Sequence, residues 1–88
     1  MRLSDFRPVN KLRLPEHRVE RPRFPVVDAH NHLGEVFSYG WSKRPVSELV
    51  AALDEAGVET IVDLDGGQGQ AFSEHYARYA GAYPTRFA

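Results

Sequence analysis

Hydrophobic positions change their rhythm along this chain, and each rhythm predicts a different element. Over residues 1–23 the apolar side chains Leu3, Phe6, Val9, Leu12, Leu14 and Val19 stand singly with no sustained period. Pro8, Pro15, Pro22 and Pro25 disfavour helix at the residue before each and remove backbone donors. An extended arm over residues 1–23 is the expectation. Phe24-Pro25-Val26-Val27 then opens an apolar run that predicts a buried strand from Pro25 to His32, with a loop over 33–44. From Pro45 onward, Val46, Leu49, Val50, Leu53 and Ala56 recur at the spacing of an amphipathic helix. Pro45 suits its first turn, Glu48 its positive end, and Gly57 a left-handed stop.

Val58 to Asp65 is short and rich in β-branched residues, which predicts a second strand. Phe72, Tyr76, Tyr79, Ala80 and Tyr83 mark one apolar side of a second helix that Gly81 and Pro84 should end. A third strand should begin at Arg86-Phe87-Ala88. Strand, helix, strand means a parallel pair with a right-handed crossover, and so an α/β fold whose helical stripe is core.

Asp28-Ala29-His30-Asn31-His32 ends the first strand and carries the clearest chemistry. Side chains two apart on a strand share a face, about 6.6 Å apart at the backbone. Two imidazoles can close that gap onto one cation, each placing a nitrogen about 2.0 to 2.1 Å from a zinc-like ion. His30 and His32 are therefore candidate metal ligands, and two ligands do not complete a site. The alternative is a histidine pair on a solvated strand face. Leu33-Gly34 follows as a turn into a loop, the place where α/β folds gather catalytic groups.

A strand ending in Asp-Ala-His-Asn-His-Leu resembles the first barrel strand of the amidohydrolase superfamily, in particular its amidohydrolase-related, metal-dependent branch. The resemblance covers residues 24–88. It implies that His30 and His32 bind a divalent metal, with zinc the expected ion, which activates water against an amide, lactone or ester. Related branches decarboxylate aromatic or unsaturated acids. The remaining ligands would come from later strands, and a (β/α)8 barrel takes about 250 residues, so 88 residues read as its first two βα units and the start of a third strand.

Asp63 and Asp65 alternate at the end of the second strand and are weak candidates for a catalytic or hydrogen-bonding role. Asp28 is read as a group that orients the histidines or caps the strand. Phe37, Tyr39 and Trp41 sit in the loop that would overhang the ion and could line a substrate pocket or pack on the body; Glu35 beside them is read as solvated. Gly66-Gly67-Gln68-Gly69-Gln70 lacks both the third glycine of a dinucleotide loop and the Lys-Ser/Thr of a P-loop, so it is read as a flexible rim loop. His17 and His75 are read as ordinary surface or packing residues.

Composition narrows the classes further. The formal charge is −1, yet residues 1–25 hold seven basic against three acidic side chains and residues 26–88 hold four against nine, so the arm should be drawn to the body. The arm's cations are dispersed and carry no aromatic series, which argues against nucleic acid and for a segment that wraps the body or a partner subunit. With no cysteine, thiolate ligands, disulfides and cysteine nucleophiles are excluded. No stretch has the apolar core of a secretory signal or the length of a membrane span, and a cytoplasmic protein acting on a small molecule is expected. Two function classes fit: the opening segment of a metal-dependent hydrolase, or a non-catalytic chain that acts only by associating with another subunit, its arm forming a homo-oligomer.

Overall fold

The computed structural model describes residues 2–88, and its elements follow the predicted order. Strands β1 (Val26–Asn31) and β2 (Val58–Asp63) pair in parallel, with helix α1 (Val46–Ala56) crossing between them and helix α2 (Gly69–Arg78) following β2. A single parallel bridge joins Ile61 to Phe87. There the Ile61 N–H donates to the Arg86 carbonyl at 2.8 Å and the Ala88 N–H to the Ile61 carbonyl at 2.9 Å. β2 is thus central, with β1 on one side and the backbone at Phe87 on the other. The architecture is mixed α/β with two parallel strands and two helices.

The helical stripe does what its spacing predicts, since Leu49 and Leu53 are the buried residues of α1 and pack with Ile61 of β2. Leu33, Tyr79 and Phe87 complete the buried cluster. Gly57 ends α1 at φ 76°, and its N–H reaches back to the carbonyls of Leu53 and Asp54. A side chain there would also meet Pro22 at 2.9 Å, so the glycine serves both the left-handed turn and the close approach of the arm.

Three expectations need correction. β1 is not a buried strand: Val26 and Val27 remain 38% and 57% exposed, because α1 packs on β2 and the outer edge of β1 has no partner among the described residues. The strands are also shorter than their sequence signals, so His32 and Asp65 fall just beyond β1 and β2. The arm neither wraps the body nor pairs its charges with it. Residues 2–20 are exposed, and Arg21 meets the body by donating to the Asp54 carbonyl at 3.1 Å. Among the described residues no arm cation forms an ion pair with a body carboxylate. The radius of gyration is accordingly 18.5 Å, against about 12 Å for a compact domain of this length. No helix among the described residues is long and apolar enough to cross a membrane.

Candidate metal centre

His30 and His32 meet, but not through plain strand alternation. Asp28 is in register with Ile61 and Asn31 with Asp63, so three steps along β1 oppose two along β2. That irregularity is a bulge, a device that bends a strand and re-aims its side chains. It lies between Asp28 and Asn31, around His30, and the Nε2 atoms of His30 and His32 stand 3.3 Å apart with the rings edge to face. Two nitrogens bound tetrahedrally to one zinc-like ion would stand about 3.3 to 3.4 Å apart. At that distance two bare lone pairs repel, so either a proton donated by one ring or a cation must lie between them.

Asp65 decides which nitrogen of His32 faces that gap. Its Oδ1 accepts from His32 Nδ1 at 2.8 Å, which leaves Nε2 with its lone pair directed at His30. A carboxylate on the far nitrogen of a ligating histidine fixes the tautomer and raises the ring's basicity. The other oxygen of Asp65 accepts from the Gly34 N–H at 2.8 Å. A Cβ at Gly34 would lie 2.8 Å from that oxygen, so glycine lets the loop come this near. These bonds, His32 foremost, hold the Asp65 carboxyl below the usual carboxylate range.

Asp63 points to a different imidazole. Its Oδ2 pairs with His75 Nε2 from α2, while its Oδ1 accepts the N–H groups of Leu33 at 3.1 Å and Asp65 at 3.0 Å. The structure therefore separates the two aspartates that alternation had placed on one face, because Asp65 lies in the loop after β2. His75, read from the sequence as an ordinary surface or packing residue, is instead the partner of a strand-end carboxylate. Its side chain is 20% exposed and sits against a carboxylate that is 7% exposed. A pair of acids closing a strand, followed by a histidine on the next helix, was the available signal.

No family model, curated protein or solved structure matches this chain. The site is accordingly described by its own atoms. Among the described residues no three or more His, Cys, Asp or Glu side chains are grouped so as to hold a metal ion, and the pair His30 and His32 brings two nitrogens together. His30, His32, Phe37, Tyr39 and Trp41 share the wall of one cleft of about 540 Å³, and His32 meets the Phe37 ring edge to face at 5.4 Å. Tyr39 adopts the left-handed region at φ 53°, uncommon without a glycine, and Gly40 follows at 91°. Glu35 is exposed and engaged by no side chain at the histidines, His17 lies in the arm, and the glycines at 66, 67 and 69 form the loop into α2.

Asp28 caps the strand backbone. It accepts from the Asn31 amide at 2.8 Å and the His30 N–H at 3.1 Å, and these bonds, Asn31 first, hold its carboxyl below the usual range. A lowered folded-state pKa gives a stabilisation present above the unfolded value of about 3.9 and lost as pH falls through the folded one. Asn31→Ala should move the Asp28 midpoint up toward about 3.9, read from its side-chain carboxyl carbon in an NMR titration. A midpoint that stays where it was would remove the amide as the cause.

Proposed function

We propose that this chain is the opening part of a metal-dependent hydrolase of the amidohydrolase type, its two βα units being the first of a TIM barrel. His30 and His32 supply two ligands to a divalent ion, and zinc suits a pair of imidazoles. The observation that carries the proposal is the 3.3 Å between the two Nε2 atoms with Asp65 on the opposite nitrogen of His32. When bound, such an ion would supply Lewis-acid chemistry toward an amide, lactone or ester, or toward an unsaturated acid that loses carbon dioxide and takes up a proton in its place.

The chain's own residues do the rest. Asp65 holds the His32 ring in one tautomer and one orientation. Asp63 and Asp65 bind imidazoles and backbone N–H groups, so their part in this reading is to hold the site together. Phe37, Tyr39 and Trp41 offer apolar wall to a small-molecule substrate above the histidines.

Titration of the whole chain with Co²⁺, followed by NMR of the histidine rings, tests the assignment. His30 and His32 should respond together and saturate at one ion per chain, with weak affinity because two protein ligands leave the shell open. A chain whose histidines do not respond, or in which His17 alone responds, would end it.

A second reading is favoured by the exposed surface. The chain exposes 7591 Å², against about 5,200 Å² for a compact monomer of 10.0 kDa. We infer that the open edge of β1 and the apolar side chains of the arm associate with further protein, a second copy included. On this reading association is the function.

A further inference from the structure

We propose that His75 is a positioning residue of the metal centre, acting through Asp63 on the loop that carries His32 and on the backbone that carries Asp65. The proposal rests on His30 and His32 being ligands, and it concerns a residue on a different element from either.

The sheet ladder stops before it reaches the site. Its last backbone bond runs from the Leu64 N–H to the Asn31 carbonyl at 2.9 Å, and beyond it two carboxylates take over the backbone's work. Asp63 Oδ1 accepts the N–H of Leu33, the residue after His32, and the N–H of Asp65 itself. Asp65 then accepts from the Gly34 N–H and from the His32 ring. One carboxylate thus ties the His32 side of the site to the Asp65 side.

A carboxylate 7% exposed is held in place by its donors, and the donor on its second oxygen is His75. His75 is itself seated by α2, with its ring 4.8 Å from that of Tyr79. Tyr79 reaches the same loop, its hydroxyl donating to the Leu33 carbonyl at 3.4 Å, and burial pushes its phenol up in pKa so that it stays a donor. Without His75, the outer oxygen of Asp63 loses its partner and the carboxylate is free to turn toward water. Leu33 and Asp65 then lose a shared acceptor, and the His32–Asp65 distance is no longer set from β2.

A purely structural role for His75 would change stability and leave the His32 ring as it is. Long-range nitrogen NMR of the imidazoles in the metal-free chain, at a pH where the rings are neutral, separates the two. In the wild type His32 should be the Nδ1–H tautomer. His75→Ala should give a tautomer mixture at His32 and weaken Co²⁺ binding about threefold to tenfold, short of the 10–100-fold typical of a residue that touches the ligand directly. His75→Gln, whose amide can donate to Asp63 from a similar position, should restore both.

A folded His75→Ala chain with an unchanged His32 tautomer would overturn the proposal. Should the alanine variant fail to fold, His75→Leu carries the same test: it keeps most of the side chain's volume and removes the donor to Asp63, so an unchanged His32 tautomer there overturns the proposal equally. Tautomer mixing in a chain that never binds Co²⁺ supports the positioning role while removing the metal assignment, so the two failures are told apart.

Discussion

Replacing His32 by alanine should weaken Co²⁺ or Zn²⁺ binding by at least about 100-fold, roughly 2.8 kcal/mol, while the far-ultraviolet circular dichroism of the chain stays as it was. His32 contributes one of the two nitrogens and is also the one whose far side is held by Asp65. The loss is therefore expected to exceed that of Asp65→Asn, for which about 10–100-fold is expected because the ligand itself survives. His17→Ala, in the exposed arm, should change nothing and serves as the control. Calorimetric titration of the three variants orders them. Equal affinity for wild type and His32→Ala would remove His32 from the site.

The histidine pair was legible because a spacing of two is enough to bring side chains to one face. What made the two nitrogens meet was less legible: the bulge depends on how β1 registers against β2, and register is a property of the pair of strands. α1 was read nearly whole from its stripe and from Gly57, since amphipathic spacing and a left-handed stop are local. Asp63 and Asp65 looked alike in the sequence and behave differently, because the strand ends between them. His75 was passed over for a related reason. Its partner lies twelve residues back across a glycine-rich loop, and neither helical nor strand period reports such a contact.

Ile61→Ala should destabilise the chain by about 3 to 5 kcal/mol, the upper part of the range for removing a buried branched side chain. Ile61 is 2% exposed and lies at the centre of the sheet, in register with Asp28 on one side and bridged to Phe87 on the other. It packs with Leu49 and Leu53 in a core of six buried apolar residues among those described, which leaves few neighbours able to collapse into the space. For a domain of this length total stability is about 4 to 13 kcal/mol, so the loss is a large fraction of the whole. Val27→Ala, on the open part of β1, should cost less than about 1 kcal/mol by comparison. Urea unfolding of both variants reads the difference directly. Equal midpoints would mean that the core is not where the structure places it.

The bonds that set the site have an implication for how it comes into being. His32 and Asp65 are separated by 33 residues of chain, Gly34 and Asp65 by 31, and Leu33 and Asp63 by 30. Closing a loop of that span costs about 3 kcal/mol in chain entropy apart from a constant term. A short peptide bearing only the HxH segment never gains the carboxylate that orients it, however well its two histidines are spaced. Assembly of the site must therefore be late: α1 has to dock and β2 has to fall into register before Asp65 arrives. A competent pair of imidazoles therefore appears only with the βαβ crossover, and whatever slows the pairing of β2 with β1 delays the site with it.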